Sequence, residues 1–267
     1  MRLAFVQFSP SFGKVSENIS QALTLADGVE ADLYVFPELF ASGYQFKDRD
    51  ELKELAEPAT GGPTAERLAE WCSRRGAFAC AGIPEADGDA LYNSAVLIGP
   101  DGLRGVYRKV HLFWREKDLF DAAREDAFEV YDVGLARVGM MICFDWIFPE
   151  VVRILALRGA QIVLHPANLV LPDCPAAMVT RCLENRVFAV TANRTGTEDR
   201  WDEAMTFIGQ SQIVNPRGEV LLRLEDEEAA VSIDVNPAEA DDKFVTPQND
   251  VFADRRVDLY SELFKPK

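Results

Sequence analysis

Hydrophobic positions along this chain recur with two periods that alternate. Residues 2 to 8 read as a strand, and from Ser16 the apolar residues Ile19, Ala22, Leu23 and Ala26 share one face, which predicts a helix. Leu33-Tyr34-Val35-Phe36 is a buried strand that stops at Pro37-Glu38. A charged helix is expected near 48 to 56. Gly61-Gly62-Pro63-Thr64 opens another, with Leu68, Trp71 and Cys72 on one face. Strands at 77 to 83 and 91 to 98 follow, and Gly99-Pro100-Asp101-Gly102 turns the chain into a strand ending at Lys109.

The second half repeats this plan. A strand from Ala136 to Ile142 reaches Cys143, Pro149 opens a helix that Gly159 closes, and Gln161 to Leu164 is again a strand. A helix near 175 to 186 leads to the strand Val187 to Thr191. The strand, turn and strand of Gln212 to Leu221 echo Val96 to Gly105. Two halves of like order predict an α/β fold in which two sheets pack face to face, each covered outside by helices. No Pro/Ser/Gly-rich linker separates them, so residues 1–267 read as a single domain.

Composition narrows the function. The 267 residues hold 44 Asp plus Glu against 28 Lys plus Arg, a formal charge of −16, which argues against nucleic-acid or anionic-membrane partners. Gln7 interrupts the apolar run a secretory signal needs, and no stretch approaches the roughly 18 apolar residues of a spanning helix, which points to a cytoplasmic protein. Cys72, Cys80, Cys143, Cys174 and Cys182 form no Cys-x-x-Cys pair, and His111 and His165 are the only histidines, so neither a disulfide framework nor a metal site is expected. Glu219 to Asp242 carries nine carboxylates and one base, Arg223, and reads as a solvated edge hairpin.

Three reactive side chains end apolar strands: Glu38, Lys109 and Cys143. Singly, each has an ordinary explanation as a helix-start carboxylate, a solvated strand end and a small buried hydrophobe. Together they supply what amide hydrolysis at neutral pH needs: a nucleophile, a proton shuttle and a cation for the oxyanion. A nearby ammonium is expected to favour the thiolate.

The strings around these residues are recognisable. Phe36-Pro37-Glu38-Leu39-Phe40, Tyr107-Arg108-Lys109-Val110-His111-Leu112 and Ile142-Cys143-Phe144-Asp145-Trp146 resemble the three signature blocks of the nitrilase, or carbon-nitrogen hydrolase, superfamily. Tyr92-Asn93-Ser94-Ala95, His165-Pro166-Ala167-Asn168 and Arg181 to Arg186 extend the resemblance over nearly the whole chain. It implies a four-layer α-β-β-α sandwich that forms homodimers and uses no cofactor or metal. It also implies Cys143 as nucleophile, Glu38 as general base and acid, Lys109 as oxyanion cation, and Glu116 as a second glutamate that positions substrate. The Phe144 N–H would complete the oxyanion hole, and Tyr44, Trp114, Trp146, Asn168 and Asn193 are candidate pocket walls.

The resemblance therefore implies hydrolysis of a small linear amide to acid and ammonia through a thioester. Nitrile hydrolysis and N-carbamoyl hydrolysis are the alternatives, with Phe144-Asp145 after the nucleophile favouring amides. The length leaves no room for a synthetase domain. Two other classes compete: a Cys-His hydrolase pairing Cys143 with His111 or His165, and a non-catalytic scaffold. One departure concerns Asp121-Ala122-Ala123-Arg124, which replaces a Pro-Gly turn usual in the family and is expected to reshape the pocket rim. Tyr260 and Phe264 in the tail suit a segment that docks across a dimer.

Overall fold

A computed structural model describes residues 1–123 and 127–265. Its first half runs β1 (Arg2–Gln7), α1 (Val15–Asp27), β2 (Leu33–Val35), α2 (Arg49–Leu55), α3 (Pro63–Arg75), β3 (Phe78–Asp87), β4 (Ala90–Gly99) and β5 (Gly102–Arg108). A short helix, α4 (Glu116–Leu119), precedes the second half. That half runs β6 (Val130–Asp132), β7 (Arg137–Met140), a 3-10 turn (Cys143–Ile147), α5 (Pro149–Leu157), β8 (Ile162–Pro166), α6 (Asp173–Asn185) and β9 (Phe188–Ala192). The two-residue strands β10 (Thr197–Glu198) and β11 (Met205–Thr206) lead to β12 (Gln212–Val214), β13 (Val220–Arg223) and β14 (Ala229–Asp234).

Local sequence explains most boundaries. Pro63 and Pro149 occupy first helical turns, Asp48 accepts the Glu51 N–H at 2.9 Å to cap α2, and Gly76 ends α3 at φ 64°. The β4–β5 hairpin closes where Gly99 pairs with Gly102, whose φ of 106° suits a residue without a Cβ.

The strands form two sheets, β14-β1-β2-β3-β4-β5 and β13-β12-β9-β8-β7-β6. Each has a parallel centre, β1-β2-β3 in one and β7-β8-β9 in the other. Period two divides the layers: Leu3, Phe5, Leu33, Val35 and Leu97 enter the core between the sheets, while Ala4, Val6, Tyr34, Phe36 and Val96 pack beneath α1 and α3. Beyond the second sheet, α5 and α6 contribute Val151, Leu155, Met178 and Cys182. The architecture is a four-layer α-β-β-α sandwich, the arrangement the resemblance implies.

One expectation is corrected. The acidic stretch is not a single hairpin: β13 edges the second sheet against β12, whereas β14 crosses to the first and pairs antiparallel with β1 from Arg2↔Asp234 to Gln7↔Ala229. Without β14, the open edge of β1 would leave its backbone groups unpaired, and local sequence does not encode that demand. Facing sheets bring the chain segments after β2, β5 and β7 together, so the first half delivers Glu38 and Lys109 and the second delivers Cys143.

Candidate active site

The turn after β2 carries Glu38 into full burial, and Leu39 beside it takes φ 48°. Gly82 on β3 permits this turn to lie close, because a Cβ there would sit 2.5 Å from the Glu38 Cα. Asn93 on β4 fixes both strands, donating its amide to Glu38 Oε1 at 2.7 Å and accepting the Lys109 N–H on its carbonyl at 2.8 Å. Lys109 Nζ donates to Glu38 Oε1 at 2.7 Å and to Glu116 Oε1 at 2.8 Å, with no part of the three side chains beyond 1 % exposed. Glu116 also accepts Tyr44 OH at 2.8 Å and the Phe113 N–H at 2.9 Å.

Cys143 begins the 3-10 turn with φ 40° and is 6 % exposed. A positive φ also occurs at Leu39, beside Glu38, and at Trp114, two residues before Glu116. Phe128, Arg186 and Gln210 share the feature away from these segments, so positive φ alone does not mark the site. Asp145 secures the turn: its carboxylate accepts Ile142 N–H at 2.8 Å, Tyr107 OH at 2.7 Å and a hydrogen bond shared with His111 Nδ1 at 2.8 Å. Tyr107 and His111 flank Lys109 two residues either side, so one buried carboxylate ties the lysine strand to the cysteine turn.

Electrostatics differ from expectation at the sulfur. Burial raises the Cys143 thiol well above its ordinary range, the Glu38 charge adds to this, and Lys109 opposes it. One ammonium already faces two carboxylates, so the expected thiolate is replaced by a resting thiol. Burial likewise raises the Glu38 carboxyl, against the pull of Lys109. For Lys109 burial favours the neutral amine, yet the charges of Glu116 and then Glu38 lead the opposing effects and keep the ammonium. Tyr44 is pushed well up by burial and then by Glu116, so its hydroxyl remains a donor.

Neither histidine serves the sulfur as a base. His165 Nε2 lies 3.0 Å from the Cys143 carbonyl oxygen and Nδ1 3.0 Å from Thr191 Oγ1, while burial lowers its pKa to about 4. A neutral ring therefore donates from Nε2 to the carbonyl. His111 stacks on Phe148 with ring centroids 3.7 Å apart. This geometry disfavours the Cys-His reading.

A cleft at Cys143 is lined by Phe113, Phe144, Trp146, Asn168, Leu169, Val170 and Leu171, with a cavity volume of about 20 Å³. Phe144, Trp146 and Asn168, named from the sequence, all line this cleft. Tyr44 supports Glu116 instead, and Trp114, 50 % exposed, packs edge-on against Trp201 on the rim. Asn193 is spent on backbone, accepting Leu169 N–H at 2.7 Å and donating to Gly209 O at 2.6 Å, so it holds the wall from behind. A larger cavity of about 520 Å³ lies beside β4 and β5, but Glu38, Lys109 and Cys143 do not line it. Chemistry selects the smaller one. Among the described residues no group of His, Cys, Asp and Glu is arranged to hold a metal. The stretch after Phe120 is tied down by Asp121 to Leu91 and by the Ala123 N–H to Lys109 O at 3.2 Å; Arg124 lies outside the described residues.

Sequence reasoning missed Asn93, Asp145 and Gly82 as parts of this site. The first two lay inside strings already quoted, and Gly82 carried no signal beyond a glycine in a strand.

Comparison with known proteins agrees with this picture. Residues 2–241 match the family described as carbon-nitrogen hydrolase. A nitrilase from Pyrococcus abyssi is 44% identical over 268 residues, covering 97% of this chain and 99% of its own, and the human omega-amidase is 34% identical over 284 residues, covering 99% of each. A nitrilase-superfamily amidase from Nesterenkonia superposes with TM-score 0.81 at 26% identity, covering 98% of this chain and 97% of its own. Another structure of that amidase shows the acetamide moiety of fluoroacetamide added covalently at the active-site cysteine. This chain belongs to the carbon-nitrogen hydrolase family of the nitrilase superfamily. It is an enzyme of the amidase or nitrilase type, and among the described residues no helix is long and apolar enough to cross a membrane.

Proposed function

We propose that the protein hydrolyses a small linear amide to a carboxylic acid and ammonia through a thioester on Cys143. The observation that carries this is the buried Lys109 ammonium held between Glu38 and Glu116 beside the Cys143 turn. Glu38 takes the thiol proton as sulfur attacks the carbonyl carbon, and the oxyanion lies against Lys109 and the Phe144 N–H. Glu38 then gives the proton to nitrogen, the C–N bond breaks and ammonia leaves. In the second half Glu38 takes a proton from water, the resulting hydroxide attacks the thioester, and the thiol regains its proton as the acid departs. Glu116 holds Lys109 in place and keeps the ammonium charged.

The Nesterenkonia amidase cysteine that takes up the acetamide moiety of fluoroacetamide supports a nucleophilic Cys143 here. The relative named nitrilase favours a second substrate class, a nitrile that enters the path as a thioimidate. The test is ammonia release from amides, carbamoyl compounds and nitriles, with intact-mass detection of an acyl adduct. Cys143→Ala is expected to abolish both, and Lys109→Ala to lower kcat about 10²- to 10³-fold. Absence of ammonia from every compound would end the reading. The homodimer belongs to the same proposal, supported by Val257, Leu259, Leu263 and Phe264, which the tail leaves exposed.

A further inference from the structure

Asn168 is 4 % exposed, yet among the described residues no protein group hydrogen-bonds its Oδ1 or its Nδ2. Other buried carboxamides in the region use at least one end: Asn193 is engaged at both, Gln7 donates to two carbonyls and accepts from Ser211, and Asn93, whose Oδ1 is also unpaired among the described residues, donates to Glu38. An unpaired buried amide is costly, so one that lines a reactive cavity is matched to a ligand. Asn168 and Cys143 line the same cleft, which places the residue at the reacting centre. Its neighbours around the cleft, Phe113, Phe144, Trp146, Leu169, Val170 and Leu171, are all apolar.

We infer that Asn168 selects short, uncharged acyl amides bearing a hydrogen-bonding substituent close to the scissile carbonyl, such as a 2-hydroxy amide. This rests on the amide-hydrolase reading above. The cavity of about 20 Å³ leaves room for about one water-sized group beside the reacting centre, which sets the short chain. A distal carboxylate would be buried against six apolar side chains without a cation among the described lining residues, so charged chains are rejected. The Asn168 amide offers one acceptor and two donors, which suits a hydroxyl or keto oxygen and leaves an aliphatic isostere facing an unpaired polar group.

The experiment compares kcat/KM for lactamide, isobutyramide and succinamate in the wild-type enzyme and in Asn168→Leu, which keeps the branched outline and removes the polar atoms. Wild type is expected to prefer lactamide over isobutyramide by roughly three- to tenfold, the discrimination of one neutral hydrogen bond. Asn168→Leu is expected to erase or invert that ratio, with succinamate poorest in both. Equal wild-type rates for lactamide and isobutyramide, succinamate as the best substrate, or a ratio unchanged in the variant would each overturn the inference. The wild-type ratio stands even if the variant misfolds. Failure of all three amides to release ammonia, alongside turnover of nitriles, would instead count against the amide reading on which this rests.

Discussion

The Arg194–Glu198 pair and the Lys109 cluster are both buried, and they are built to opposite specifications. In one, Arg194 pairs with Glu198 and also donates to Pro10 O at 3.1 Å and Thr195 O at 3.3 Å, with its guanidinium 4.1 Å over the Phe207 ring. Glu198 in turn accepts Tyr44 N–H at 3.1 Å and Gln45 N–H at 2.7 Å. Each charge is answered. In the other, Lys109 meets two carboxylates, and among the described residues Glu38 Oε2 has no protein partner. A satisfied buried pair works as a fastener, here holding the loop whose Tyr44 supports Glu116; an unsatisfied one keeps a lone pair ready for a proton. The same physical cost, desolvation, thus serves architecture in one place and reactivity in the other.

The sharpest way to break this comparison is to neutralise one glutamate in each cluster. Glu38→Gln is expected to lower kcat about 10²- to 10⁴-fold, the range of general acid–base catalysis, with urea unfolding little changed. Glu198→Gln should do the reverse, costing ~3–5 kcal/mol of stability by stranding Arg194 while the folded fraction retains most of its turnover. Equal stability losses in the two variants would erase the distinction.

A pH series probes the ring that braces the cysteine. His165 binds its proton near pH 6.5 when unfolded but only near 4 when folded. Above pH 6.5 neither state is charged; between 6.5 and 4 the unfolded chain takes the proton and the folded one does not, so stability falls as pH drops, by about 3 kcal/mol in all. Urea midpoints measured across that window should lose this component in a folded His165→Gln variant.

The smallest expected effect comes from Gly82→Ala. The new methyl meets the Glu38 backbone, so the turn must shift, costing about 1–3 kcal/mol and lowering kcat more than it raises KM. Steady-state kinetics on the soluble variant check it; unchanged kcat would mean that the turn tolerates the displacement.

Much of this was legible beforehand because its causes are local. Residues 2 to 8 read as a strand, and Pro63 and Pro149 marked helix starts, from local sequence alone. The strings around Glu38, Lys109 and Cys143 named the candidate trio. Asn193 was misplaced as a facing wall because residue type shows hydrogen-bonding capacity, not whether a neighbouring backbone has already consumed it.

The sequence by itself determined the layers, the order of the two halves and the reactive side chains, since these follow from periodicity and chemical identity. Only the tertiary structure decided that β14 would leave its neighbour β13 to close the edge of β1, that Lys109 would be shared by two carboxylates so the Cys143 thiol keeps its proton, and that Asn168 would be buried unpaired. Each depends on which groups from distant parts of the chain are brought within a few ångströms in the absence of water, and no local pattern carries that information.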